Sequence, residues 1–122
     1  MKALVVDDSA VMRKILIGAL GQAGITEVGE AADGQLAVSA AGAGDYGLIL
    51  MDWNMPNMLG IDAVKAIRAA GQTMPIIMVT TEAEKLRVIE ALKAGANNYI
   101  VKPFKPETVA TKVQETLAKV GA

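Results

Sequence analysis

The run Leu48-Ile49-Leu50-Met51-Asp52 is the clearest indication of the fold of this chain. Four large apolar residues in succession are typical of an interior strand whose two faces are both covered. The run ends at a carboxylate, which places Asp52 directly at the end of the strand. Three more short apolar runs occupy residues 3–6, 76–79 and 99–101, and residues 26–31 form a weaker run with looser alternation. The near-continuous runs at 3–6, 48–51 and 76–79 predict interior strands, and the weaker run predicts an edge strand.

Segments with helical spacing lie between these strands. In the first, apolar residues recur over residues 11–20, Asp8 or Ser9 can cap the start, and Gly21 and Gly24 lie near the end. The next three cover about residues 35–41, 61–68 and 86–92, and a fifth helix starts after Pro106. Strands that alternate with helices in this way predict an α/β fold, in which a doubly wound parallel sheet carries helices on both faces.

Length and composition bound the class of protein. A chain of 122 residues, with 52% apolar and 20% charged residues, is predicted to form one globular domain over residues 1–122. The net charge of -1 gives no general attraction to nucleic acid or to an anionic membrane. The sequence has no cysteine and no histidine, which excludes disulfides and thiolate chemistry and removes the usual zinc ligands. No signal peptide or membrane-spanning segment is predicted, so we expect a cytoplasmic protein.

Polar side chains follow four of the predicted strands. They are Asp7 and Asp8 after the first strand, Asp52 after the third, Thr80 and Thr81 after the fourth, and Lys102 after the fifth. Right-handed crossovers bring these strand ends to one edge of a parallel sheet, which is the edge where ligands bind in open α/β folds. Three carboxylates, a hydroxyl and an ammonium are therefore expected to converge there.

The chemistry of such a site follows from its charges. Three neighbouring carboxylates repel one another, so some of their pKa values should be raised unless a cation lies among them. Mg²⁺ is the natural candidate because it prefers hard oxygen ligands and often works beside phosphate oxygens. A carboxylate can also act as a nucleophile and form an acyl phosphate, whose oxygens the metal, Lys102 and a threonine hydroxyl could neutralise. The spacing of the residues does not reveal which aspartate would be the nucleophile.

Several motifs, in order and at matching intervals, resemble the receiver family of response regulators. They are Val5-Val6-Asp7-Asp8-Ser9, Met51-Asp52-Trp53-Asn54-Met55-Pro56, Gly60, Val79-Thr80 and Tyr99-Ile100-Val101-Lys102-Pro103-Phe104. The resemblance covers essentially the whole chain, and Met12-Arg13 together with the Asp-Trp-Asn-Met-Pro and Lys-Pro-Phe sequences is most similar to the chemotaxis, CheY-like type. It implies a flavodoxin-like (βα)5 sheet with strand order 2-1-3-4-5, a topology for which CheY is itself a standard example.

The resemblance also implies roles in phosphorylation and metal binding. Asp52 would be the phosphoacceptor, with a histidine kinase as the phosphodonor. Asp8 and Asp52 would bind Mg²⁺ through their side chains, Asp7 through a water molecule, and Asn54 through its backbone carbonyl. The cofactor implied is therefore Mg²⁺ alone.

Phosphorylation would then change a surface formed by the fourth helix, the fifth strand and the fifth helix. Lys102 would contact the phosphoryl group, Thr80 would move toward it, and Tyr99 would be the aromatic residue whose rotamer reports the change. Val88 and Lys112 fit a CheY-like output face, although the acidic residues of the fourth helix weaken the match. The partner would be a downstream protein, such as the flagellar motor switch or another phosphorelay protein, with no direct contact to nucleic acid or membrane. The peptide bond before the proline of the Lys-Pro-Phe sequence would be cis.

Three positions near the site would set the lifetime of the phosphoryl group. Asn54 and Glu82 lie two residues after Asp52 and Thr80, at positions that tune this lifetime in receivers. Thr81 departs from the family, whose members usually carry alanine or another very small residue there. Its extra atoms are expected to narrow access to the phosphoryl group.

Three other functions compete with a receiver switch. An aspartyl-phosphate hydrolase of the haloacid-dehalogenase class needs an acid two residues after the nucleophile, and Asn54 cannot act as one. A flavin or nucleotide carrier needs a phosphate cradle rich in glycine or in serine and threonine, whereas Asp7-Asp8-Ser9-Ala10 follows the first strand. An adaptor that is never phosphorylated has no use for the complete set of acceptor, metal ligands and lysine. We therefore expect a switch that is not an enzyme beyond its own phosphotransfer and slow autodephosphorylation.

Overall fold

A computed structural model describes residues 1–81 and 85–121 of the chain. Strands and helices alternate along these residues, as the sequence predicts. In chain order the elements are β1 (Lys2–Val6), α1 (Ala10–Gln22), β2 (Glu27–Ala31), α2 (Gly34–Ala43), β3 (Leu48–Asp52), α3 (Gly60–Ala69), β4 (Ile76–Thr80), α4 (Lys85–Ala94), β5 (Asn98–Val101) and α5 (Pro106–Gly121). The first four helices extend by one or two residues at each end beyond the apolar positions that predicted them, a difference that is usual at helix ends. None of the helices in these ranges is both long enough and apolar enough to cross a membrane.

The described strands form one parallel sheet in the order β2-β1-β3-β4-β5. At the centre, β1 pairs with β2 and β3, and Val6 lies opposite both Ala31 and Met51. The fold is flavodoxin-like, and the predicted strand order is confirmed. The edge position of β2 is confirmed as well. Its residues are mostly exposed or half-buried, whereas those of β1, β3 and β4 are buried almost throughout.

Helices cover both faces of the sheet. On one face α2, α3 and α4 pack around Ile49 and Met51, and on the other α1 and α5 pack around Leu48 and Leu50. Successive residues of a strand point to opposite faces, so the apolar run of β3 supplies both cores. All four side chains are fully buried, and each burial stabilises the fold by about 1.5–3 kcal/mol relative to an exposed position. Asp52, the next residue, therefore lies at the margin of two packed cores.

Local signals fix the two ends of α1. Its cap is Ser9 and not Asp8, because the Ser9 hydroxyl accepts a hydrogen bond from the backbone N–H of Met12 at 3.2 Å. The alternative that the sequence left open is thereby resolved, and the carboxylate of Asp8 lies outside the cap. The helix continues past Gly21 and the chain turns at Gly24, whose φ of 84° lies in the left-handed region that favours glycine.

Candidate functional site

Two of the acidic residues of the site follow β1. Asp7 is buried, with 1% of its surface exposed, whereas Asp8 is exposed. The backbone N–H of Asp7 donates to the carbonyl oxygen of Ala31 at 3.1 Å, which extends the pairing of β1 with β2 by one residue. One carboxylate oxygen of Asp7 accepts a hydrogen bond from the backbone N–H of Ser9 at 2.9 Å. The two aspartates thus lie at the carboxyl edge of the sheet, one inside and one at the rim.

Asp52 brings a third carboxylate to the same place. It is the last residue of β3 and is 6% exposed. Asp7, Asp8 and Asp52 each offer a carboxylate oxygen, and these three oxygens lie within 4.8 Å of one another. The structure therefore brings together the three aspartates that the sequence placed at strand ends.

Lys102 joins this cluster from the end of β5. Its ammonium donates to Asp7 Oδ2 and to Asp52 Oδ1, each at 3.1 Å, and 16% of its side chain is exposed. Its backbone N–H donates to the carbonyl oxygen of Thr80 at 2.8 Å, which ties the lysine to the end of β4. The peptide bond between Lys102 and Pro103 is cis, as predicted. One ammonium thus bridges two of the three carboxylates.

The charges of the cluster are unbalanced. Burial raises the pKa of the Asp52 carboxyl above its ordinary value against the opposing hydrogen bond from Lys102, and the negative charges of Asp7 and Asp8 raise it further. Burial alone would lower the pKa of Lys102, but its bonds to Asp52 and Asp7 outweigh that effect and the pKa is raised. The expectation of a raised carboxyl pKa is thus confirmed for Asp52. The lysine stays charged, and it compensates only one of the three carboxylates.

The donors of this cluster fit a hard divalent cation. They are carboxylate oxygens, and the sequence contains no histidine or cysteine that would favour a softer metal. Three carboxylates against one ammonium leave an excess of two negative charges, which one divalent cation would neutralise. Mg²⁺ is usually held by one or two carboxylates and keeps several waters, which agrees with a cluster that is exposed on the side of Asp8.

The loop after Asp52 is shaped by the close approach of Gly60. The N–H of Gly60 donates to the carbonyl oxygen of Trp53 at 2.8 Å, and a Cβ at this position would overlap the carbonyl oxygen of Asp52. Only glycine allows this contact, so α3 begins directly against the end of β3. Asn54, two residues after Asp52, is exposed in the loop.

Trp53 connects the acidic cluster with α4. It follows Asp52 directly and is 4% exposed. The guanidinium carbon of Arg87 lies 5.8 Å from the centre of its ring, within the range of a cation–π contact. The indole therefore lies between the end of β3 and the first turn of α4.

The residues predicted to act at the end of β4 are adjacent but differ in exposure. Thr80 is buried, with 2% of its surface exposed, and Thr81 is exposed. Glu82, the third of the positions predicted to tune the phosphoryl lifetime, lies outside the described residues.

Of the predicted output residues, two are in contact. Tyr99 is half-buried on β5, and the ammonium of Lys112 on α5 lies 5.7 Å from the centre of its ring. Val88 is half-buried on α4. Glu84, one of the acidic residues near the start of the fourth helix, lies outside the described residues.

Two connections around the site have no signature in the sequence that pairs their residues. Asn57, with a left-handed φ of 69°, donates from its side chain to Asp33 at 2.8 Å and joins the loop after β3 to the start of α2. Asp33 also accepts a hydrogen bond from the backbone N–H of Leu36. The pKa of Asp33 is lowered below its ordinary value, mainly by the bond from Leu36 and next by the bond from Asn57. The second connection runs from Arg13 to the carbonyl oxygen of Asp7 at 2.7 Å.

Comparison with known proteins agrees with this fold and site. Residues 3–114 match the family described as response regulator receiver domain. The chemotaxis protein CheY1 of Helicobacter pylori is 48% identical over 120 residues, which cover 96% of this chain and 97% of the relative. The chemotaxis protein CheY of Pseudomonas aeruginosa is 40% identical over 123 residues, with 99% of each chain covered. The solved structure of the Vibrio cholerae chemotaxis protein CheY4 has a TM-score of 0.87 and 41% identity, covering 95% of this chain and 98% of that chain.

These matches span nearly the full length of the chain. The chain therefore belongs to the response-regulator receiver family and is of its CheY-like type.

Proposed function

We propose that this chain is a phosphorylation-activated switch of a two-component system, with residues 1–122 forming a single receiver domain. The observation that carries the proposal is the bridge of Lys102 between Asp7 and Asp52, inside a cluster of three carboxylates. Such a site combines a carboxylate nucleophile with a fixed cation that can meet a phosphoryl group. The relatives are named as chemotaxis proteins, which favours a chemotaxis or motility pathway for this chain.

Asp52 is the phosphoacceptor in this proposal. One of its carboxylate oxygens attacks the phosphorus of a phosphohistidine on a histidine kinase, and the P–O bond forms as the P–N bond breaks. The imidazole nitrogen keeps the electron pair of the broken bond. Lys102, 3.1 Å from Asp52 Oδ1, shifts its hydrogen bond to a phosphoryl oxygen as negative charge arrives. Its second bond, to Asp7, keeps the ammonium in place meanwhile.

Mg²⁺ would be held by the carboxylates of Asp8 and Asp52, by Asp7 through a water molecule, and by the backbone carbonyl of Asn54. When bound, it supplies positive charge that lets phosphoryl oxygens approach an acidic cluster. The part played by the chain is to keep the carboxylates together before the metal arrives. The pairing of β1 with β3 and the bridge of Lys102 do this against the mutual repulsion of Asp7 and Asp52.

Phosphorylation would change the protein-binding surface formed by α4, β5 and α5. Thr80 would move toward the phosphoryl group, and Tyr99, whose ring lies near the ammonium of Lys112, would change its rotamer. With Val88 these residues would bind a downstream protein, such as the flagellar motor switch or another phosphorelay protein. We propose no direct contact with nucleic acid or with a membrane. To shift a mostly inactive population to a mostly active one, phosphorylation must favour the active arrangement by about 5 kcal/mol.

The chain would turn over no separate substrate. The position two residues after Asp52 holds Asn54, whose amide cannot serve as a general acid or base, so hydrolysis is limited to slow loss of the chain's own phosphoryl group. Asn54, Thr81 and Glu82 would tune the rate of that loss. Steady-state hydrolysis of phosphomonoesters by the purified protein would instead support a phosphohydrolase.

Trp53 provides the test of this proposal, because it directly follows Asp52 and is the only tryptophan of the sequence. We expect Mg²⁺ to change its fluorescence, and acetyl phosphate or beryllofluoride to change it further only when Mg²⁺ is present. The Asp52→Asn variant should lose the response to acetyl phosphate and to beryllofluoride. A response of equal size in Asp52→Asn would contradict the proposal.

A further inference from the structure

Arg13 connects α1 with the loop that carries Asp7 and Asp8. Its Nη1 donates to the carbonyl oxygen of Asp7 at 2.7 Å, and its Nε donates to Glu30 Oε1 on β2 at 2.9 Å. The side chain of Arg13 is 17% exposed and that of Glu30 is 49% exposed. Hydrogen bonds from a charged donor are shorter and stronger than neutral ones, so the guanidinium is well fixed between the strand and the loop.

Asp7 has a partner at each of its polar atoms: the N–H, the two carboxylate oxygens and the carbonyl oxygen. In that order the partners are Ala31, Ser9, Lys102 and Arg13. The first three hold the strand end and the carboxylate. The contact with Arg13 holds the peptide group that leads to Asp8. This peptide group sets the position from which the exposed side chain of Asp8 extends.

We propose that Arg13, held by Glu30, is a positioning residue for the Mg²⁺ site. It does not touch the metal, and it holds the peptide group between Asp7 and Asp8 so that both carboxylates stay beside Asp52. The inference rests on the proposed metal site and extends it to a residue outside the strand-end motifs. Replacing groups that orient metal ligands through hydrogen bonds typically weakens metal affinity or activity about 10–100-fold.

The direction in which Mg²⁺ affinity changes when Arg13 is replaced separates a positioning role from a purely electrostatic one. Arg13 is a cation near three carboxylates, so by charge alone its removal should strengthen Mg²⁺ binding. A positioning role predicts weaker binding, because without the hydrogen bond the loop must be ordered when the metal binds. Arg13→Gln removes the charge and keeps most of the side-chain length, so the direction of the change in affinity decides between the two roles.

The experiment is a titration of the metal-free protein with Mg²⁺, followed by Trp53 fluorescence. We expect the Kd of Arg13→Gln to be about ten-fold higher than that of the wild type. The ratio of the two Kd values should persist between about 0.1 M and about 1 M monovalent salt, where screening suppresses effects of charge alone. Lys14→Gln is the matched control, because Lys14 is the exposed neighbour of Arg13 on α1 and its replacement removes the same charge. Its Kd should equal that of the wild type or fall slightly.

Two further variants keep the test decisive if Arg13→Gln folds poorly. Arg13→Lys keeps the charge but cannot offer two donors in a fixed fork, so its Kd should also rise. Glu30→Gln keeps an acceptor for Arg13 but removes the charge that holds it, so its Kd should rise by less than that of Arg13→Gln. Thermal unfolding in chelator reports the stability of each variant separately from its metal affinity.

The outcomes distinguish this inference from the function on which it rests. An unchanged or lower Kd in both Arg13 variants, with a normal Mg²⁺ response in the wild type, would overturn the positioning role alone. An equal rise in Lys14→Gln would overturn it too, because it would show that the contact with Asp7 is not the cause. A wild-type protein that does not bind Mg²⁺ would overturn the proposed metal site together with the inference.

Discussion

At the scale of single residues, burial and charge compete at Asp52. An ion pair by itself lowers the pKa of a carboxyl group, yet the pKa of Asp52 is raised, because burial outweighs the bond from Lys102 and the carboxylates of Asp7 and Asp8 add to it. The ionised form of Asp52 is therefore less favourable in the metal-free site than in water. A divalent cation relieves this repulsion, so the instability of the free site contributes to its affinity for metal.

The raised pKa predicts that Asp52→Asn is more stable than the wild type when Mg²⁺ is absent. The folded state holds the proton of Asp52 more tightly than the unfolded state, so this group costs stability as the pH rises from its ordinary pKa of 3.8 through the raised folded value. The asparagine still offers an oxygen to Lys102. Urea unfolding in chelator should show the largest difference near neutral pH and none in acid. A wild type that is equally or more stable at neutral pH would show that the ion pair outweighs burial.

We expect Thr81 to affect the rates of phosphorylation and dephosphorylation directly. It is exposed directly after β4, and removing its hydroxyl and methyl groups should open access to the phosphoryl group. We expect Thr81→Ala to speed phosphorylation by acetyl phosphate, loss of the phosphoryl group, or both, by about three-fold, which corresponds to about 0.6 kcal/mol of barrier. Time courses of Trp53 fluorescence measure both rates. Thr111→Ala, at an exposed position of α5, should change neither. Unchanged rates in both directions would rule out a steric role for Thr81.

At the scale of elements, the turn from β3 to α3 sets the position of Asp52. Gly60 packs against the carbonyl oxygen of Asp52, and Asn57 ties the same loop to Asp33 at the start of α2. The strand end therefore cannot shift without moving the start of α3. This backbone contact fixes the main chain at Asp52, and the hydrogen bond from Lys102 then holds the carboxylate.

This packing predicts opposite effects for the same substitution at two glycines. Gly60→Ala should lower the free energy of unfolding by about 2–4 kcal/mol, because the added Cβ meets backbone that cannot move aside. It should also weaken Mg²⁺ binding by displacing Asp52. Gly18→Ala, within α1 and with open space around the added Cβ, should raise the free energy of unfolding by about 0.5–1 kcal/mol. Urea unfolding measures both, and a Gly60→Ala variant as stable as the wild type would refute the close approach.

The elements could be predicted largely because their signals are local. Four large apolar residues in a row, at 48–51, favour an interior strand, and the looser alternation at 26–31 favours an edge strand. The partners of polar groups are different, since periodicity gives the face of an element and not its neighbour. The contact of Arg13 with Asp7 and that of Asn57 with Asp33 join different elements and could not be read from the chain. The cap of α1 had two candidates, Asp8 and Ser9, which only the geometry separates.

At the scale of the whole molecule, the site is assembled by topology. The ends of β1 and β3 meet because these strands are neighbours in the sheet although not in the chain. Lys102 reaches across to partners that are 95 residues away at Asp7 and 50 residues away at Asp52. The convergence of these residues could be predicted from the strand ends, but the choice of Asp52 as phosphoacceptor came from family resemblance. The complete cluster exists only in the folded chain.

A site that exists only in the folded state should link metal binding to stability. Mg²⁺ at about 100 times its Kd should stabilise the protein by about 2.7 kcal/mol, which raises the Tm of a domain of this size by about 10 °C. Thermal unfolding at increasing Mg²⁺ concentration measures this shift. Asp8→Asn, which leaves both bonds of Lys102 in place, should show a much smaller shift. A shift of the same size with NaCl at equal ionic strength would mean that screening, and not binding, is responsible.

The identity of the phosphoacceptor can be established by locating the phosphoryl group on the folded protein. Borohydride reduces an aspartyl phosphate to homoserine, which peptide mass analysis can assign to one position of the sequence. After treatment with acetyl phosphate and Mg²⁺, we predict homoserine at position 52 alone, none without Mg²⁺, and none in the Asp52→Asn variant. Homoserine at position 7 or 8 of the wild type, or no modification of a wild type that binds Mg²⁺, would contradict the assignment of Asp52 as the phosphoacceptor.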